Sequence, residues 1–353
     1  MEYAESRRIL ALVIDNYVLN LIDRAAAGSA FTGGQCFACG GEPTSGHGEH
    51  IIPRWMQRRF DLFNDTLTLI NGTRIPYRQL TIPCCESCNN GFLRDIENKV
   101  IEFLENPDFR DTGARIVLGR WLCKVFVGLL VKETTLFLDR RDPSKGTILS
   151  PDFLEEFQHA QFILQSARKR TVFHSLHGAH PFSLYMYRIE PDDEFGDFDL
   201  STNLFGQSIA VRLGPVGVVF VNDGGLQHHA GRKGPLNLDG RRLHPVQFSE
   251  VAARVHYKAT LRDATHSYTS SETPDEIIVD QVTVRPFSNV RLEGGAMQIF
   301  RPWDDIECAH IIERYRPFKG PPVYDADTGL FTTTLSNNRG GIQSPKSFLN
   351  RSN

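Results

Sequence analysis

The chain has 353 residues, 41% of them apolar and 23% charged, with a formal net charge of −3. That length leaves room for two or three domains and a sizeable core, and the negative balance excludes a protein that coats nucleic acid by bulk electrostatics. A nucleic-acid site has to be a local basic patch.

Residues 1–30 imitate a secretory leader through Arg7-Arg8, an apolar run and small residues. Asp15, Asn16 and Asp23-Arg24 interrupt that imitation, and no apolar stretch is long enough to cross a membrane. The expected location is the cytoplasm. Over Ser6–Ala27, Ile9, Leu10, Val13, Tyr17 and Leu21 recur at helical spacing, and Ile14, Val18 and Ile22 widen the stripe. This predicts an amphipathic helix that packs on the following domain. A dimer seam is the alternative role, which leaves an oligomer open.

Seven cysteines stand at 36, 39, 84, 85, 88, 123 and 308. Five fall between 36 and 88, a clustering that reads as thiolate ligation in a reducing compartment and not as a disulfide framework. Cys36 and Cys39 form one pair with a two-residue gap, Cys85 and Cys88 another, and four thiolates at such spacing suit one structural, tetrahedral Zn²⁺. Cys84 is a possible substitute ligand. The glycines at 33, 34, 40, 41, 46 and 48 suit the tight loops of a zinc knuckle.

Between the cysteine pairs, Ile51-Ile52 predicts a short buried strand stopped by Pro53. Thr66 to Ile70, Asn71-Gly72 and Thr73 onward predict a β-hairpin. Helices are predicted from about Asn90 to Glu105, from Thr112 through Leu129, and from Ser150-Pro151 to about Lys169. Farther on, Phe182–Ile189, Ser208–Leu213, Val216–Asn222 and Val251–Leu261 read as strands. The fold class expected is α+β: a helix over 1–30, a zinc-stapled module over 31–105, a helical segment over 106–170, a β-rich domain over 171–336 and a mobile polar tail over 337–353.

Three residues in the central stretch carry the chemistry of phosphodiester hydrolysis. His50, titrating near neutrality, is suited to take a proton from an attacking water. Glu49 and Asn89 are candidate oxygen ligands for Mg²⁺ or Mn²⁺, which would stabilise charge on the phosphate and leaving group. Arg54, Arg58 and Arg59, interleaved with Trp55 and Met56, are candidate grips on a nucleic-acid backbone. Arg168-Lys169-Arg170 and Arg241-Arg242 are further possible contacts. His174, His177 and His180, the His228-His229 loop and His47 are read as surface positions, and Cys123 and Cys308 as buried thiols.

Cys-x-x-Cys, then Glu49-His50-Ile51-Ile52-Pro53, then Cys85-x-x-Cys88-Asn89 leading into a helix resembles the zinc-stapled branch of the HNH endonucleases, the ββα-metal fold, over about residues 31–105. The resemblance implies His50 as general base, Glu49 and Asn89 as ligands of the catalytic cation, and Cys36, Cys39, Cys85 and Cys88 around zinc. It also implies DNA as the substrate and, by extension, a role in bacterial defence. The chain departs from the family in having Glu49 where Asp is commoner and Leu93 where many members carry a helix histidine; Asp95 or His47 could complete the cation site. Asn71 and Gln79 are candidates for the family's middle asparagine, although Asn-Gly at 71–72 is explained by a turn. Two other readings stand beside the nuclease: a zinc-stabilised nucleic-acid-binding or scaffold protein with a decayed site, and an effector subunit silent until a regulatory partner binds.

Overall fold

In the computed structural model the described residues are 34–44, 46, 48–174, 180–225, 238–286, 292–293, 296–297, 300–317, 322–335 and 342–345. The helix expected over Ser6–Ala27, His47, His177, the His228-His229 loop with Arg232-Lys233, and most of the tail from Asn337 lie outside them. Helices and strands mix throughout, so the chain is α+β. It divides into two compact units. One holds the described residues up to Glu105 with Thr112–His174 and Tyr268–Gln281; the other holds Asn106–Asp111 and the described residues of Ser175–Ser267 and Val282–Asn353.

In the first unit, strand β1 (Glu49–His50) follows a glycine turn, and helix α1 (Arg54–Arg59) starts directly after Pro53. Two further strands, β2 (Thr66–Thr68) and β3 (Arg74–Pro76), form the expected hairpin, with Leu67 opposite Ile75. Asn71 Oδ1 accepts from the Thr73 backbone N–H at 3.0 Å and Gly72 takes φ +78°, so the Asn-Gly pair is a turn. Strand β4 (Thr81–Ile82) then pairs antiparallel with β1, placing Glu49 opposite Ile82 and His50 opposite Thr81. Gly48 sits at φ +66°, and a Cβ there would fall 2.4 Å from the Ile82 carbonyl oxygen. Only glycine lets the chain enter β1 this closely.

The strand lies on Glu49–His50 and not, as the apolar run suggests, on Ile51-Ile52. Those two isoleucines are both buried and lie in a bend, where the chain turns towards α1.

A helical turn (Glu86–Cys88) and a π-turn (Asn89–Leu93) lead into α2 (Arg94–Glu105). Gly91, at φ −95° and ψ −122°, breaks the regular helix expected from Asn90. The helix α3 (Thr112–Thr134) is buried on nearly every face between Leu118 and Val131, which makes it the central rod of this unit. It packs on α2, on β4 and on α4 (Gln158–Gln165). At Gly128 an added Cβ would lie 3.2 Å from Ile51 Cγ1 and 3.3 Å from Ile82 Cδ1, so the missing side chain brings the β1–β4 pair down onto the rod. The helical segment read as separate therefore shares a unit with the cysteine-rich segment. The helix expected from Ser150 to Lys169 is a 3₁₀ turn (Pro151–Phe157) before α4, and β5 (Arg170–His174) begins where the helix was expected to end.

Glu133, near the end of α3, is buried, and burial pushes its carboxyl up to about 7, with the Ile70 N–H at 3.4 Å only partly offsetting this. A folded-state value above the unfolded one means that the stability this group contributes is fully present below the unfolded value and is lost as pH rises through about 7. The chain should therefore unfold at lower urea at about pH 8 than at about pH 5, by at most roughly 3 kcal/mol from this group. Glu133→Gln should flatten that part of the profile; an unchanged slope removes the assignment.

The second unit centres on a five-stranded sheet of order β10-β6-β9-β8-β7. Its strands are β6 (Ser183–Ile189), β7 (Phe198–Asn203), β8 (Ser208–Leu213), β9 (Val216–Val221) and β10 (Arg242–Leu243); only β10 against β6 is parallel. Helix α5 (Pro245–Thr260) covers one face with Phe248, Val251, Ala252 and Val255. The segment Val251–Leu261, expected as a strand, thus belongs almost entirely to a helix. His244 caps it, accepting from the Val246 N–H, with Pro245 in the first turn and the Gln247 side chain returning to the His244 backbone. Burial on most faces hides its helical period behind a count of branched residues. Helix α6 (Asp305–Tyr315) packs on α5 through Cys308, Ala309 and Ile312, so the part expected to be β-rich is itself mixed. Within the tail, Gln343 is anchored: its N–H donates to Leu335 and its carbonyl accepts from Gln247. In the first unit, the Glu276–Asp280 part of strand β11 (Glu276–Pro286) runs parallel to β5.

Candidate functional site

The cysteine loop closes on itself before any ion is considered. Cys36 N–H donates to Gly41 O and Gly40 N–H to Cys36 O, both at 2.8 Å, while Phe37 N–H reaches across to Pro83 O at 3.0 Å. The second pair is set by the short turn Glu86–Cys88, where Asn89 N–H donates to Cys85 O. Sulfur atoms of Cys36, Cys39, Cys85 and Cys88 all lie within 4.8 Å of one another, and Cys39 and Cys85 are 3.7 Å apart. Tetrahedral Zn²⁺ with bonds of about 2.3 Å sets its sulfurs roughly 3.8 Å apart, so the four fit such an ion. Cys84 Sγ is 3.8 Å from Cys36 Sγ but is not one of the four.

Without a cation the thiols perturb one another. Hydrogen bonds from Cys84 and Cys88 pull the Cys36 thiol well down, and the same contacts push Cys84 and Cys88 up. A divalent ion would let the four ionise together. Arg168 supplies part of the outer support: Nη2 donates to Cys88 Sγ at 3.1 Å and to Ala38 O at 2.9 Å, and its guanidinium lies 4.2 Å from the Phe92 ring centroid. Arg168 is therefore turned onto the thiolate cluster. Its neighbours are also engaged, Lys169 with Thr273 O and Arg170 with Glu276.

Strand alternation sends Glu49 and His50 to opposite sides of β1. The Glu49 side chain is only 9% exposed and is ion-paired with Lys124 of α3, whose side chain is 1% exposed. Lys124 Nζ also reaches Glu97 Oε1 of α2 at 2.5 Å and donates to the His50 carbonyl at 3.1 Å. Its three protons thus have three acceptors. Burial alone would lower the Lys124 ammonium, but Glu97 and Glu49 hold it above its ordinary value; burial raises Glu97 in turn, against the pull of Lys124. Two carboxyl groups thus share one ammonium beneath β1.

On the other side, Arg54 Nε, from the first residue of α1, donates to His50 Nε2 at 3.0 Å. Arginine can only donate, so this ring nitrogen carries its lone pair and the proton of the neutral imidazole sits on Nδ1. Arg54, Arg58 and Arg59 are all exposed, and the last two occupy the end of α1.

Among the sequence-derived residues, the structure brings the four thiolates together and sets His50 beside Arg54 and above Lys124. Asn89 is half-buried at the start of the π-turn, and the interactions described for it do not join it to Glu49. Among the described residues no second group of three or more His, Cys, Asp or Glu side chains converges as the thiolates do. Asp95 and Gln79 are exposed, Leu93 is buried, and His174 pairs with Asp280 at 3.0 Å. Lys124 and Glu97 are absent from the sequence-derived set. Their one signal was a lysine in the apolar run Trp121 to Val127, where an unpaired charge is costly and a buried partner is required. Neither a protein-family model, nor a curated protein, nor a solved structure matches this chain.

Proposed function

We propose that this chain is a metal-dependent endonuclease of the HNH type that hydrolyses phosphodiester bonds in nucleic acid, with DNA as the preferred substrate. The observation that carries the reading is the half-buried His50, whose Nε2 accepts from Arg54 of α1, in the same compact unit as the four converging thiolates. His50 would take the proton from the attacking water as the new phosphorus–oxygen bond forms and the bond to the departing oxygen breaks. Arg54, Arg58 and Arg59 would hold backbone phosphates from α1. Zinc, held by Cys36, Cys39, Cys85 and Cys88, fixes the scaffold and takes no part in the reaction.

Each of the two carboxyl groups gives only one oxygen to Lys124. Glu49 and Asn89 are the residues we assign to hold Mg²⁺ or Mn²⁺, Glu49 exchanging Lys124 for the cation, and the bound ion would supply neutralisation of charge on the scissile phosphate and leaving oxygen.

One observation favours a second reading. The carboxylate assigned to the cation is paired with a buried lysine, as expected of a zinc-stabilised nucleic-acid-binding protein with a decayed site. Plasmid nicking separates the two. With Mg²⁺ or Mn²⁺ the wild type should nick DNA, and His50→Ala should be slower by about a hundredfold or more. Equal nicking by both proteins, or binding without cleavage in any metal, would overturn the hydrolytic assignment.

A further inference from the structure

The same site carries a feature that the hydrolase reading does not require. Nε2 of His50 can take a proton only if nothing else is donating to it, yet Arg54 Nε occupies it at 3.0 Å. The guanidinium is exposed, on the first turn of α1, and Arg58 and Arg59 follow on the same short helix. Beneath the ring, the His50 backbone is held by Lys124 and by pairing with Thr81, whereas the Arg54 side chain that contacts the ring is exposed.

We propose that Arg54 is a substrate-released latch on His50: in the free protein it caps Nε2, and a backbone phosphate draws the guanidinium away and uncovers the base. This rests on the assignment of His50 as base. The driving difference is chemical. A hydrogen bond from guanidinium to an anionic phosphate oxygen is charge-assisted on both sides and can be bidentate, whereas that to a neutral imidazole is neither. One residue thus grips the substrate and arms the base, and the base stays covered when no phosphodiester is present.

Two measurements that need no cleavage test this on the full-length, zinc-loaded protein in buffer without added Mg²⁺ or Mn²⁺. In the first, diethyl pyrocarbonate, which acylates an unprotonated imidazole nitrogen, is used without nucleic acid, and His50 is followed by peptide mass mapping. Arg54→Met, which keeps bulk and removes the donor, should react at His50 about tenfold faster than wild type, the worth of one net hydrogen bond of roughly 1.4 kcal/mol. Arg74→Met, at an exposed arginine of β3 that bonds Thr66 Oγ1, should leave His50 reactivity unchanged. In the second, short duplex DNA is titrated by fluorescence anisotropy, and Arg54→Met should bind several-fold more weakly. Equal His50 acylation in wild type and Arg54→Met overturns the cap, and equal DNA affinity overturns the grip. Because neither reads turnover, a failure here is distinguishable from a failure of His50→Ala to lose nicking.

Discussion

Lys124→Met should destabilise the chain by about 3–5 kcal/mol, the usual penalty for removing one member of a buried ionic group and leaving the others uncompensated. The ammonium is almost wholly buried and has three acceptors: Glu49, Glu97 and the His50 carbonyl. Methionine fills nearly the same volume, so packing along α3 is kept and the loss reports electrostatics. Two carboxylates would then face each other across a dry gap. Since whole domains are stable by only about 5–15 kcal/mol, a large share of the total is at risk. Urea unfolding measures it, and the cycle with Glu97→Gln and Glu49→Gln apportions it. The triple variant should recover part of the loss, because no charge is left buried without a partner. A Lys124→Met protein within about 0.5 kcal/mol of wild type would show that the three groups are solvated in solution. The same variant frees the His50 carbonyl, so its nicking rate should fall further than its folded fraction does.

The parts of this site legible in the sequence are those made of neighbours. Cys36 and Cys39, and Cys85 and Cys88, announce themselves because a two-residue gap lets one turn present two sulfurs to one ion. Glu49 and His50 are adjacent, and the period of a strand is enough to place them on opposite sides. The Arg54–His50 contact is an i, i+4 pair across Pro53, with a spacing that only the onset of α1 makes meaningful.

What could not be read is what the tertiary fold joins. Lys124 meets His50 from 74 positions away and Glu97 from 27, and no local pattern encodes either approach. Burial also obscured the period of α5, where polar residues such as Gln247, Glu250, Arg254 and His256 are buried along with the apolar ones, so its second half read as a strand; α3, buried as thoroughly, was legible from Thr112 through Leu129. The start of α5 was further hidden because its cap is His244, outside the usual set of Ser, Thr, Asp and Asn.

Cys39→Ser should cost the protein its zinc and with it much of the first unit's stability. Between Gly34 and Gly48 the described chain has no regular element, yet Cys36, Phe37 and Ala38 are completely buried. A loop of this kind is held by its backbone bonds to Gly41 and Pro83 and by whatever joins the four sulfurs. Structural zinc contributes on the order of ten kcal/mol of apparent folding free energy in small zinc domains, so even a fractional share here exceeds any single hydrogen bond in the loop. Elemental analysis of the wild type should give about one zinc per chain. Cys39→Ser should hold well under half of that, and a loss of about 4 kcal/mol would lower the melting temperature by roughly 8–16 °C. Cys84→Ala is the informative partner. Its sulfur is buried 3.8 Å from Cys36 but outside the set of four, so this variant should keep its full zinc content and lose only the packing of one small side chain. If Cys84→Ala sheds zinc while Cys39→Ser keeps it, the ligand set is wrong; if the wild type folds fully without metal, the thiolate cluster is not a staple at all.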